Sequence, residues 1–218
     1  MKQRDRETRE RLLTSAAQLF ADRGFRKVTV RDICRAARAN VASVNYHFGD
    51  KSGLYREVLQ LAIETMRATS DAARQAGEGL PPEERLRRYI TVSMCRAMSS
   101  GNVTWISRLI HREMTDPTPT FDAIIEQALR PRVDDLAAMV SDLLACAPDD
   151  PRVSQCVASI HAQWMLFVPN PVASRLRAKL QLRTDDAGKL AEHIARFSLA
   201  GIRALAAARQ DELTGVEG

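Results

Sequence analysis

The sequence lacks most of the signatures that specific chemistries require. Its four cysteines, Cys34, Cys95, Cys146 and Cys156, are separated by 61, 51 and 10 residues, so no C-x-x-C occurs. Zinc and thioredoxin-like spacings are therefore missing, and reduced thiols packed as small hydrophobes are expected. No H-E-x-x-H, repeated Glu-x-x-His, G-x-S-x-G or phosphate-binding glycine loop is present. The four histidines, His47, His111, His161 and His193, fall in separate segments. These absences argue against an enzyme and imply neither a metal nor a cofactor. No apolar run approaches the about 20 residues of a membrane span. The opening MKQRDRETRERLL is too charged for the apolar core of a secretory signal. A soluble, cytoplasmic protein without membrane contact is expected. Strand-like alternation, internal repeats and low-complexity tracts are also absent.

What remains is helix after helix. Residues 5–22 place Leu12, Ala16, Leu19 and Phe20 on one apolar stripe, and Gly24 stops it. Thr29 can cap a helix whose third residue is Asp32, with Ile33, Ala36 and Ala37 on its apolar face. Asn40 can cap a two-turn helix, Val41 to Phe48, with Val41, Val44 and Phe48 on one side and Gly49 at its end. Asp50 then caps a long helix reaching toward residue 75. QAGEGLPPEE, residues 75–84, reads as a linker in which Pro82, Glu83 and Glu84 suit a helix start. Further helices are predicted over 82–99, 102–114, 119–145, 151–167, 171–181 and about 185–210. Pro131 should kink the third of these or end its first part, and the closing DELTGVEG should fray. The fold class expected is all-α: an N-terminal domain over residues 1–50, a connecting helix over 51–76, and a helical domain over 77–218.

Charge is divided unevenly. Residues 1–50 hold 11 Lys/Arg and 6 Asp/Glu, a balance of +5, whereas residues 51–218 hold 21 of each and are neutral. A basic module that meets a polyanion, joined to a neutral body, fits this division. Three short helices in that basic region, the last two joined by a tight turn, describe a helix-turn-helix. Its third helix must be short and polar on its outward face to enter the major groove of DNA. Ser43, Asn45, Tyr46 and His47 meet that demand, and Thr29 and Asn40 stand at helix starts that offer N–H groups to phosphates. Arg26, Lys27, Arg31, Arg35, Arg38 and Lys51 flank the motif.

TVRDICRAARANVASVNYHFGDKSGLYREVL, Thr29 to Leu59, closely resembles the N-terminal domain of TetR-family transcriptional regulators. HREMTDPTPTFDAIIEQALRP, His111 to Pro131, and the N-V-A-x-V-N-Y-H-F segment resemble the CecR branch of that family, which is associated with drug efflux or sensitivity. The resemblance implies a ligand-responsive repressor that binds operator DNA as a homodimer and is released by a small, largely apolar effector. It places Tyr46, His47, Lys51 and Thr29 on backbone phosphates, and Ala42, Ser43 and Asn45 beside base edges. There Asn45 could pair with adenine and Ala42 could meet a thymine methyl. Arg31, Arg38 and Asn40 complete the expected DNA-binding set. The alternatives are partial burial for Tyr46 and a helix-end capping role for His47; Phe48 is read as core. Arg38 departs from the family, which often has Gly there. An Arg must accept a left-handed conformation, at roughly 1 kcal/mol, unless the turn is reshaped.

The resemblance further implies a dimer formed by the last two long helices of each subunit. Ile194, Phe197, Leu199, Ile202 and Leu205 are candidates for that interface, with ordinary core as the alternative. Middle helices would enclose an effector pocket lined by Met94, Met98, Trp105, Arg108, His111, His161, Trp164 and Met165, where Arg108 and His111 could orient an anionic or hydrogen-bonding group. A structural helical scaffold with a basic surface is the main rival reading, and it leaves the Thr29–Lys51 frame unexplained.

Overall fold

Gly24, with φ +80°, ends α1 (Lys2–Arg23), and its N–H donates to the Phe20 carbonyl at 2.9 Å. Helix α2 (Val30–Ala37) opens on a reciprocal cap. Asp32 N–H donates to Thr29 Oγ1 at 3.1 Å, and Thr29 N–H donates to Asp32 Oδ2 at 3.1 Å. The Thr29 hydroxyl also donates to Asp32 Oδ2 at 2.6 Å, and this bond, with the one from Thr29 N–H, holds the Asp32 carboxyl below the usual carboxylate range. Helix α3 (Val41–Phe48) opens on Asn40, whose side-chain oxygen accepts from Ser43 N–H at 2.7 Å. Helix α4 (Lys51–Ala76) opens on Asp50, which accepts from Gly53 N–H at 2.6 Å. The short polar residues at these helix starts fix the boundaries, as their capping chemistry requires.

In this computed structural model, residues 2–99, 104–165, 167, 171–181 and 186–215 are described. The helices that follow are α5 (Pro82–Ser99), α6 (Thr104–Thr115), α7 (Phe121–Ile124), a π-helical turn (Ile125–Leu129), α8 (Arg130–Leu144), α9 (Pro151–Met165), α10 (Pro171–Lys179) and α11 (Ala187–Gly215). Val103 and Asp185, expected near two helix starts, lie outside the described residues. Within the helix expected over 119–145, which Pro131 was to kink or to end in its first part, the irregularity takes the form of the π turn just before Pro131. Pro131 explains the irregularity. It has no N–H for the Gln127 carbonyl, and its ring crowds that carbonyl, so the turn before it widens. Helix α11 continues past residue 210 to Gly215, through part of the segment expected to fray.

The helices form two compact units, residues 1–66 with 101–125 and residues 67–100 with 126–218. Their boundary differs from the division expected at residue 50. Helix α4 contributes to both units, and α6 belongs with α1–α3. In the first unit α1 packs against α2, α3 and α6. Its core includes Leu12, Ala16, Phe20, Val28, Ile33, Val44, Leu54 and Val58. Phe20 meets the Tyr55 ring edge-on at 4.8 Å, an arrangement that aromatic quadrupoles favour. In the second unit α5 lies along α11, and α8 and α9 complete the bundle. Leu86, Tyr89, Ile90, Leu136, Val140, Val153, Ile160, Ile194, Ala195, Leu199 and Ile202 share one buried cluster. No disulfide joins the four cysteines: Cys34 and Cys156 are buried, and Cys95 and Cys146 are half-buried.

Candidate nucleic-acid interface

Two side chains dock α3. Val44 and Phe48 are buried, with Val44 fully enclosed. Val41, expected beside them, sits at the edge of that contact and is 44% exposed. The opposite face is open: Ala42, Asn45 and Tyr46 are exposed, and Tyr46 is 77% accessible. Partial burial of Tyr46, the alternative reading, is not what the geometry shows. Ser43 is half-buried, and its hydroxyl donates to the capping oxygen of Asn40 at 2.8 Å. The groove between this face and α1 holds about 420 Å³ and is lined by Arg4, Asp5, Thr8, Asn40, Ala42, Ser43, Tyr46 and His47.

His47 and Lys51 are engaged within the chain. The His47 side chain is 8% exposed, and its Nε2 lies 3.4 Å from Asp5 Oδ1. Lys51 Nζ donates to the Val28 carbonyl at 2.9 Å and sits 4.3 Å over the Phe25 ring. His47 ties α3 to α1, and Lys51 ties the start of α4 to the segment between α1 and α2, so neither side chain is open to a phosphate in this arrangement. Arg31, Arg38, Thr29 and Asn40 are exposed. Arg38 adopts the left-handed conformation, φ 51° and ψ 48°. Its N–H stays bonded to the carbonyls of Cys34 and Arg35, and Arg11 Nε donates to the Ala37 carbonyl at 3.1 Å from outside. The turn keeps the geometry a glycine would give it, and α1 supplies a cation to the end of α2.

Sequence reasoning missed α1 as a neighbour of this face. Arg4 and Thr8 border α3, and the charged opening MKQRDRETRER is the signal that could have suggested it. The eight candidates for an effector pocket divide between the two units. Trp105, Arg108 and His111 belong to the first, where Trp105 is buried and His111 is exposed. Arg108 donates to Gln18 Oε1 at 3.1 Å and lies 3.1 Å from Asp22 Oδ1. Its charge is already matched, which removes the reason for assigning it an anionic ligand. Met94, Met98, His161 and Trp164 belong to the second unit, where Met94 is buried and the other three are half-buried. The Met165 side chain lies outside the described residues. Arg132, not among the candidates, stands with its guanidinium 5.2 Å from the Trp164 ring. Its position one helical turn before Leu136 on the apolar stripe of α8 is the pattern that could have flagged it. Of the dimer candidates, Ile194, Leu199 and Ile202 are buried inside the chain, while Phe197 is 66% and Leu205 39% exposed.

Among the described residues no cluster of His, Cys, Asp or Glu could hold a metal, and no helix is long and apolar enough to cross a membrane. Residues 12–58 match the tetR family of bacterial regulatory proteins, and residues 82–202 match the C-terminal domain of the HTH-type transcriptional dual regulator CecR. The chain is 24% identical to that regulator from Shigella flexneri over 155 residues, 67% of this chain and 69% of the relative. It is 46% identical to the HTH-type transcriptional repressor KstR2 of Rhodococcus jostii over 52 residues, 24% of this chain and 26% of the relative. Its fold resembles the TetR family transcriptional regulator PfmR of Thermus thermophilus, with a TM-score of 0.63 at 18% identity over 87% of this chain and 97% of that one. A TetR-like transcriptional regulator from a Rhodococcus species superposes with a TM-score of 0.59 at 20% identity, over 89% and 96% of the two chains. With its helix-turn-helix and its CecR-type C-terminal domain, the chain belongs to the TetR family of DNA-binding transcriptional regulators, which are not enzymes.

Proposed function

We propose that the protein is a repressor that binds operator DNA as a homodimer and leaves it when a small, largely apolar effector binds. The observation that carries the DNA contact is the division of α3 into a buried face, Val44 and Phe48, and an open one, Ala42, Asn45 and Tyr46. Asn45 offers the paired donor and acceptor that match adenine N6 and N7, and Ala42 offers a methyl to thymine. Tyr46, Thr29, Arg31 and Arg38 stand around them as phosphate contacts, and Arg4 on α1 joins them. KstR2 is a transcriptional repressor and CecR a transcriptional dual regulator; repression is the simpler reading for a chain that offers DNA this open helix face.

A single two-turn helix grips little DNA, and helix-turn-helix proteins gain affinity by presenting two. Phe197, Gly201 and Leu205 recur every four residues on α11, all exposed, and a side chain added at Gly201 would meet nothing within 4 Å. That stripe supports an approach by a second copy of the helix. An effector that favours the non-binding arrangement of the two copies then empties the operator by a shift of populations.

The test selects duplexes from a random pool and compares variants on them. Tyr46→Ala should weaken binding to every sequence alike, whereas Asn45→Ala should change the ranking among sequences by about 1–3 kcal/mol at one base position. Uniform losses for Asn45→Ala would show that it reads no base.

A further inference from the structure

Among the described residues, the second unit buries four side-chain nitrogen atoms that lack a hydrogen-bond partner, Arg85 Nε and three others. Arg132 Nε, His161 Nε2 and Trp164 Nε1 are each enclosed and lack a hydrogen-bond partner among the described residues. They stand together. The Arg132 guanidinium carbon is 5.2 Å from the Trp164 ring centroid, and the His161 and Trp164 rings meet edge to face at 6.0 Å. Helix α8 supplies the first, and one turn of α9 supplies the other two. Helix α5 closes a third side, since the Tyr89 hydroxyl donates to the Arg132 carbonyl at 3.4 Å. One turn further along α5, Ser93 Oγ is likewise buried and unpartnered.

An isolated unpaired polar atom is a tolerable defect, but several in one place point to a missing partner. The chemistry of that partner follows from the donors. Indole N–H and guanidinium Nε–H can only donate, and a neutral imidazole donates from Nε2 in one tautomer. The indole and guanidinium nitrogens therefore want an acceptor, and the imidazole accommodates the same acceptor in that tautomer. Among the described residues no carboxylate lies within ion-pair distance of Arg132, and Asp135, one turn along α8, interacts with Arg74 and Asp71 instead. Burial, helped by Arg132, keeps the His161 ring neutral, so the cluster carries one unbalanced positive charge. A carboxylate supplies oxygen acceptors and one negative charge, whereas a phosphate dianion would leave a charge uncompensated. Val92, Met98, Trp164 and Phe167 pack, partly buried, on the same hydrophobic cluster and offer apolar surface to a tail.

We propose that Arg132, His161 and Trp164 form the head-group site of the effector, and that the effector is an organic monocarboxylate with an apolar tail. The proposal rests on the reading of the chain as an effector-responsive regulator. It moves the anion-binding role from Arg108 and His111 to Arg132.

The test titrates the full-length protein calorimetrically with octanoate and with 4-phenylbutanoate, each against the corresponding alcohol. At least one carboxylate should bind about ten-fold or more tightly than its alcohol, as hydrogen bonds to a charged group imply. Arg132→Gln should erase that preference and leave the affinity for the alcohol unchanged. Trp164→Phe, which keeps the ring and removes one donor, should weaken the carboxylate several-fold, and it reads the same preference if Arg132→Gln does not fold. Equal binding of acid and alcohol, no binding of either acid, or a preference indifferent to both substitutions would overturn the proposal. Duplex binding is measured on the same unliganded samples. If it is intact while the carboxylate preference is absent, this inference alone fails; if the unliganded wild-type protein binds no duplex, the regulator reading fails.

Discussion

At the scale of the residue, two positions carry the physics most openly. Arg38 holds a left-handed backbone that costs a non-glycine residue roughly 1 kcal/mol. Arg38→Gly relieves that strain but adds a similar entropy to the unfolded chain, about 0.5–1 kcal/mol. The two effects nearly cancel, so the urea midpoint should move little, by no more than about 1 kcal/mol in stability. Loss of the exposed guanidinium should appear elsewhere, as a fall of about 0.9 per chain in the salt slope of duplex binding. His161 is the second position. Burial, and then Arg132, lower its affinity for a proton. The unfolded chain therefore takes up that proton at a higher pH than the folded one, with an ordinary histidine value of about 6.5. Stability should fall as pH drops below about 6.5 and keep falling until the folded ring also protonates. His161→Gln should flatten that part of a plot of melting temperature against pH; an unchanged slope would place the proton uptake elsewhere. Sequence could show that Arg38 replaces a turn glycine. It could not show that unpartnered donors meet at His161, because Arg132 reaches the cluster from another helix, α8.

At the scale of the element, the helices best foreseen were those whose ends carry their own chemistry. Thr29 with Asp32, Asn40, Asp50, Gly24 and Gly49 mark boundaries that the structure places where those residues stand. Such caps are local, and local chemistry is legible in sequence. The π turn before Pro131 is the contrasting case. Sequence indicated a break but not its form, since the choice between a kink and a widened turn depends on packing. Helix α6 shows what sequence hides altogether. Its buried Glu113 accepts from the Tyr55 hydroxyl on α4 and from Thr118 N–H and Oγ1, the latter two at 2.9 Å. Burial and the neighbouring carboxylate hold the Tyr55 hydroxyl protonated far above the ordinary tyrosine range. On the same helix, Arg112 donates to the Ala21 carbonyl at 2.9 Å. Tyr55→Phe should destabilise the first unit by about 1–3 kcal/mol, because it leaves a buried carboxylate short of a donor. Hydrogen exchange at α6 amides checks this, with faster exchange expected; unchanged protection would mean that Thr118 alone satisfies Glu113.

At the scale of the whole molecule, the charge division of the sequence acquires a meaning. The excess of +5 in residues 1–50 falls on α1, α2 and α3 with their turns, and the neutral remainder builds α4 to α11. The division of α3 into a buried and an open face was legible because the helix is short and each residue's place on it follows from helical spacing. The residues expected to line an effector pocket were less so, since Trp105, Arg108 and His111 fold into a different unit from His161 and Trp164. Helical spacing assigns a residue to a face; it does not say which helix that face will meet. On the proposed reading, two copies of α3 hold duplex DNA, and the basic first unit neutralises its phosphates. The most direct measurement is the affinity for a selected duplex as a function of salt, with the stoichiometry determined at saturation. Two chains should bind each duplex, with an affinity that falls steeply and linearly in log–log form, each phosphate contact contributing about −0.9 to the slope. Binding that is insensitive to salt, or no duplex binding at low salt, would contradict that reading.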